Sequence, residues 1–181
     1  MRAWLLMLSF LFLAGCSTMH IEDFRDTQPK FDLEQYFSGH TRAWGSFFDR
    51  GGHLKRQFTV DIHGYRQGDD FILDEAFVYN DGERQSRQWR IRSMGDGQYE
   101  GRAPDVLGVA KGVARGQALN WRYKLDLPYG DGSISVDFDD WMFLQTEEVL
   151  VNRADVSKFG FKVGEVVLFF QRQPDQPDAK P

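Results

Sequence analysis

The chain has 181 residues, with 22 lysines and arginines against 27 aspartates and glutamates, a net charge of −5 and a single cysteine. Mild acidity without a basic run excludes the electrostatic footprint of a nucleic-acid binder or of a protein held on anionic headgroups, and one cysteine excludes an internal disulfide. The length suits one domain whose core alone must hold the fold.

The first fifteen residues have the three parts of a secretory signal. Arg2 supplies the positive end, Leu5 to Leu13 an apolar core broken only by Ser9, and Ala14-Gly15 the small residues a peptidase requires. That core is far shorter than the ~20 residues of a spanning helix. Leu13-Ala14-Gly15-Cys16 reads as a bacterial lipobox, in which Cys16 is acylated, by palmitate-type chains, and becomes the first mature residue. The alternatives are an ordinary signal peptide with Cys16 as an incidental thiol, or a short buried helix. Each buried acyl CH₂ is worth ~0.8 kcal/mol, so several chains give a lasting membrane anchor. Residues 16–30 are polar, carry Pro29 and lack a period of 2 or 3.6, and so read as a flexible tether reaching about 20 Å. Residues 31–172 form the folded domain, and 173–181, with Pro174, Pro177 and Pro181, read as a disordered tail.

Phe31 to Phe37 is the one helical stretch, with Asp32 as cap and Phe31, Leu33 and Phe37 free to plug an opening. Beyond it the apolar pattern has period 2, interrupted by glycine-containing turns. The strands expected are 39–50, 53–66, 69–79, 83–93, 98–103, 106–113, 118–127, 133–144, 149–156 and 162–172. So many strands joined by tight turns predict an all-β, up-and-down antiparallel barrel. A two-sheet sandwich is the rival, but no connection has the length of its crossovers.

One hairpin can be assigned a register. If Asn80-Asp81-Gly82 is a three-residue loop, Tyr79 pairs with Glu83, which sets Leu73 against Trp89, Phe71 against Ile91 and Glu75 against Arg87. A two-residue loop would turn the apolar face toward Gln88, Arg90 and Arg92, the wrong side. Treating Gly95-Asp96-Gly97 alike sets Ile91 against Gly101 and Trp89 against Ala103. Glu75 and Arg87 thus share an otherwise apolar face. They read either as the polar anchor of a ligand's head group or as a structural ion pair near a barrel rim.

Next, Gly108, Ala110, Gly112, Ala114, Gly116 and Ala118 alternate with larger residues, a face that leaves room for an aromatic layer, the plug helix or a ligand. Only Gly116 marks the reversal there. Farther on, Asp137 and Asp139 face water, while Asp140 shares parity with Val136 and Phe138 and points inward, where Asn152, Arg153 and Lys158 offer polar groups. The calcium-loop pattern is absent. His40, His53 and His63 lack ligand spacing, and no nucleophile elbow, phosphate loop or Cys–His pair stands out. No cofactor motif is present, and enzymatic activity has no support in the sequence.

Several motifs together resemble one family. Trp44-Gly45, Asp74-Glu75-Ala76-Phe77 with Asp81-Gly82-Glu83, Arg87-x-Trp89, Ala103-x-Asp105-Val106-x-Gly108, Asp139-Asp140-Trp141-Met142, and Asn152-Arg153 through Lys158-Phe159-Gly160 look like the bacterial lipoproteins grouped as domain of unknown function 3833. The short helix before a tryptophan-bearing strand also resembles lipocalin-like barrels. The first resemblance, with Ser17 and not Asp after Cys16, implies sorting to the outer membrane with the domain facing the periplasm. The expected function is binding of a lipid or other small amphipathic ligand. Its site would draw on Glu75, Arg87, Trp89, Asp140, Trp141, Asn152 and Arg153, with Cys16 as lipid attachment and no metal. An envelope assembly protein with a filled barrel is the alternative, and a hydrolase of envelope lipids using Glu75 or Asp140 a weaker one.

Overall fold

A computed structural model of the protein describes residues 19–130 and 132–174. The signal segment, Cys16 and residues 175–181 of the expected tail lie outside the described residues. The apolar alternation closes into a barrel of ten antiparallel strands: β1 (Gly39–Asp49), β2 (Leu54–Gln67), β3 (Asp70–Tyr79), β4 (Arg84–Gly95), β5 (Gln98–Arg102), β6 (Ala110–Arg115), β7 (Ala118–Tyr129), β8 (Gly132–Leu144), β9 (Val149–Lys158) and β10 (Phe161–Arg172). Each strand pairs with its sequence neighbours and β1 closes on β10, so no strand edge is left unpaired. The expected all-β, up-and-down, lipocalin-like architecture is the one found.

The registers follow the turn chemistry. Glu75 pairs with Arg87, Leu73 with Trp89 and Phe71 with Ile91, as the three-residue turn requires. Ile91 pairs in turn with Gly101, although there the loop is Asp96-Gly97 alone and a bulge between Ser93 and Gly95 restores the expected register. One boundary differs by more than two residues: residues 106–109 are not strand, and Val106 makes only an isolated bridge to Leu125, because this stretch forms a rim loop that carries Asp105 over the barrel. The reversal at Gly116 is a two-residue turn closed by Arg115 and Ala118. Such a turn switches the parity of inward positions, from Ala110, Gly112 and Ala114 on β6 to Leu119, Trp121 and Tyr123 on β7. The small face is therefore filled by protein, since Trp121 lies over Gly101 and Gly112.

One end of the barrel is packed solid. Helix α1 (Leu33–Phe37), capped by Asp32 accepting from the Gln35 amide at 2.9 Å, lays Leu33, Tyr36 and Phe37 across it. Phe31, Phe71, Ile91, Tyr99, Leu119, Leu150 and Phe170 complete that buried layer. At the opposite end Phe47, Phe58, Phe77, Leu127, Ile134 and Phe138 are only partly buried, although strand parity turns them inward. Water therefore reaches the interior from that end, which is the mouth of the barrel.

The segment read as a free tether is corrected over residues 20–30, which run along the barrel as a strap. A 3-10 turn (Ile21–Phe24) sets the Phe24 ring 5.5 Å from Phe143 and 6.1 Å from Trp141 on the outer wall of β8. Thr27 Oγ1 accepts from the Gln117 amide at 3.0 Å, the Phe31 amide donates to the Gly116 carbonyl at 2.7 Å, and Arg115 pairs with Glu22 at 3.0 Å. These bonds satisfy the β6–β7 turn, and sequence periodicity carries no signal for them. They leave the chain emerging at the packed end, away from the mouth.

Candidate functional site

The site lies midway down the interior, where strand parity brings charged side chains to an apolar wall. Glu75 comes from β3, Arg87 from β4, Tyr123 from β7 and Asp140 from β8, all inward. Glu75 and Arg87 face each other as the register requires, at 3.8 Å. The main partner of Arg87 is a residue sequence reasoning passed over: Asp105, on the β5–β6 rim loop, accepts from Nε at Oδ1 (3.1 Å) and from Nη2 at Oδ2 (2.7 Å). This bidentate geometry is the strong form of an arginine–carboxylate pair. Arg87 also lies over the Phe77 ring at 5.5 Å.

Trp89 stands beneath this cluster, edge-on to both Trp121 (5.7 Å) and Tyr123 (5.4 Å), and Tyr123 stacks on Phe138 at 5.0 Å. Asp140 is 6 % exposed, with the Tyr123 hydroxyl directed at its carboxyl. Asn152 is 1 % exposed on the inward side of β9. Two expected site residues are not there: Trp141 packs on the outer wall against Phe143 and Phe24, and Arg153 pairs outside with Glu165 at 3.0 Å. The physical reason is the strand period of two, since neighbours of the inward Asp140 and Asn152 must point outward. Lys158 sits at the rim, not beside Asp140, with its Nζ over the Phe159 ring.

Several buried polar atoms here have no hydrogen-bond partner among the described residues: Glu75 Oε2, Asp140 Oδ1 and both amide atoms of Asn152. Leaving such atoms unpaired costs about 1–3 kcal/mol each. Their electrostatics agree. Burial pushes Glu75 up to about 7 against the pull of Arg87, and pushes Asp140 up to about 7 against the hydrogen bond from Tyr123. Burial also opposes the charge on Arg87, but Glu75, Tyr123 and Asp105 outweigh it and hold its pKa above the usual value. The arrangement is a single fixed cation among three carboxyls, two of which, Glu75 and Asp140, titrate near neutrality. It can accept hydrogen bonds from, and donate them to, a polar group placed among them.

These shifts have a consequence for stability. Both acids hold their protons more tightly in the folded protein than at the ordinary 4.5 and 3.8, so their contribution is complete below those values and is lost as the pH rises through about 7. The Glu75→Gln/Asp140→Asn double variant should therefore be more stable than the parent at pH 8, by on the order of 3 kcal/mol, and close to it at pH 4. Urea unfolding at both pH values measures this, and a less stable variant at pH 8 would mean that the acids are ionised and well paired.

The histidines lie elsewhere. His40 and His63 pair across β1 and β2 on the outer wall, beside an open groove of about 550 Å³ that they line with Asp61, Asp74, Ser86 and Gln88. Among the described residues no group of His, Cys, Asp and Glu side chains is placed to hold a metal ion.

Comparison with known proteins agrees with this architecture. Residues 10–172 match the family model described as "Protein of unknown function (DUF3833)". No curated protein matches the chain. Among solved structures, the S-type phycobiliprotein lyase CPES from Guillardia theta superposes with a TM-score of 0.58 at 8 % identity, over 80 % of this chain and 92 % of that one. At that identity the likeness is one of fold, and it extends to nearly the whole of the other barrel.

Proposed function

The chain belongs to the DUF3833 family, and from that premise we propose that it is a lipid-anchored barrel at the periplasmic face of the outer membrane that carries a lipid or other small amphipathic molecule. One observation carries the ligand reading: a barrel open at one end places polar atoms of Glu75, Asp140 and Asn152, without hydrogen-bond partners among the described residues, below an aromatic, partly wetted mouth. Buried polar groups are ordinarily paired. A ligand that enters polar end first satisfies them, while its apolar part lies among Phe47, Phe58, Phe77 and Phe138. The fold shared with a phycobiliprotein lyase is compatible with a small ligand in the barrel. The anchor reading rests on Arg2, the apolar core and Leu13-Ala14-Gly15-Cys16 with Ser17 following.

Native mass spectrometry of protein purified from its own envelope is expected to show one reproducible adduct in the lipid mass range. Ile134→Trp, which fills the mouth, should remove it. A chain free of any adduct would overturn the ligand reading in favour of a filled barrel that serves a protein partner. Separately, Cys16→Ser should move the protein to the soluble fraction with its circular dichroism unchanged; retention on membranes would overturn the anchor.

A further inference from the structure

Five of the large apolar side chains left exposed stand on the rim of the mouth: Leu54 (50 %), Leu107 (48 %), Phe159 (85 %), Phe161 (76 %) and Val163 (37 %). They come from three separate connections, β1–β2, β5–β6 and β9–β10. The β9–β10 hairpin is the most telling. Its loop is Phe159-Gly160, with φ of 52° and 80°, the pattern of a type I′ turn. Asn-Gly takes that shape without steric penalty, whereas a bulky side chain at positive φ is an outlier. Folding gains nothing in return, because the Phe159 ring is almost wholly in solvent. Strain held at an exposed tip points to a use outside the fold.

The surrounding residues indicate which use. Lys158 reaches to within 5.1 Å of the Phe159 ring centre, and Lys162 is turned to the outer face by Asp155 (2.6 Å) and Glu165 (2.7 Å). Phe161 pairs with Lys158, which shares the inward parity of Val156, so Phe161 stands on the mouth side of the hairpin. Phenylalanines projecting past lysines whose heads remain in water match the boundary between acyl chains and headgroups. The same rim encircles the apolar interior, which a lipid surface would continue.

We propose that the rim seats Phe159 and Phe161 in the interfacial layer of a lipid bilayer, opening the barrel onto its acyl chains. Where the anchor reading above holds, this bilayer is not the one that holds Cys16. The strap fixes the chain from His20 at the packed end, and four steps from there to Cys16 can reach no more than about 14 Å. A wall of twelve-residue strands such as β10 is longer than that, at ~3.3 Å per residue. Anchor and mouth therefore face opposite ways, and the rim meets a second lipid surface.

The test uses the full chain loaded by its N-terminus into nanodiscs and mixed with bare vesicles of phosphatidylethanolamine and phosphatidylglycerol at 3:1. Nanodiscs carrying the parent protein should cosediment with the vesicles. Phe159→Asn/Phe161→Ser should weaken capture about tenfold for each ring removed, while its melting temperature stays level or rises, because Asn-Gly suits the turn. Equal capture by the folded variant, or no capture by the parent, overturns the proposal; crosslinking of the tip to a protein in place of lipid also overturns it. If the chain fails to load into nanodiscs, the anchor reading is what fails. The rim is then tested by mixing the chain directly with the same vesicles, and an unchanged variant again refutes it.

Discussion

Replacing Arg87 by leucine should destabilise the barrel by about 3–5 kcal/mol at pH 8, the usual cost of stripping the partner from a buried charge. Among the described residues Arg87 is the one cation placed among Glu75, Asp105 and Asp140, and its side chain is 19 % exposed. Removing it leaves two carboxyls in a desolvated interior and a third, Asp105, without its bidentate partner. At pH 5 the loss should be smaller, because burial raises Glu75 and Asp140 to about 7 and both are then protonated. Adding Glu75→Gln to Arg87→Leu should recover part of the loss at pH 8. Denaturant midpoints at the two pH values for both variants check this. A loss independent of pH would show that Arg87 matters through the packing of its stem on Phe77.

Gly112→Ala should cost about 1–3 kcal/mol or more, the range for overpacking a close-packed interior. A Cβ at this position would stand 2.2 Å from Trp121 Cε3, and one at Gly101 would stand 2.6 Å from Trp121 Cζ2. The indole has nowhere to move, because it is 4 % exposed and edge-packed on Trp89. Trp121→Phe in the Gly112→Ala background should restore part of the stability, and the double-mutant cycle should give a coupling above about 1 kcal/mol. Additive losses would show that the ring shifts freely. This stack also forms the floor under the charged cluster, so the variant should loosen the candidate site along with the core.

Gly101 and Gly112 show why small residues were legible as room but not as to what fills it. The alternation around Gly112 marks an inward face, yet the occupant comes from β7 and its parity depends on the two-residue turn at Gly116. Asp105 and Tyr123 were passed over for related reasons. Asp105 reaches Arg87 only because residues 103–109 leave the sheet, and Tyr123 meets Asp140 only through the β7–β8 register. Trp141 and Arg153 were misassigned where the period of two already argued against them, beside inward Asp140 and Asn152. The strap was hidden because its attachments are scattered and aperiodic: a backbone bond and the Thr27 hydroxyl on one turn, the Glu22–Arg115 pair and a single ring, Phe24.

Local chemistry in the sequence by itself determined the all-β class, the strand order, and the facing of Glu75 and Arg87. A strand's period and a turn's glycine act within a dozen residues, and closure of a meander follows once each hairpin is formed. The tertiary structure alone decided which end is packed and which is open, which carboxyl takes Arg87, and where the chain toward Cys16 emerges relative to Phe159. Those depend on contacts between segments far apart in the chain. Burial, which sets the charges of Glu75 and Asp140, exists only once the barrel has closed.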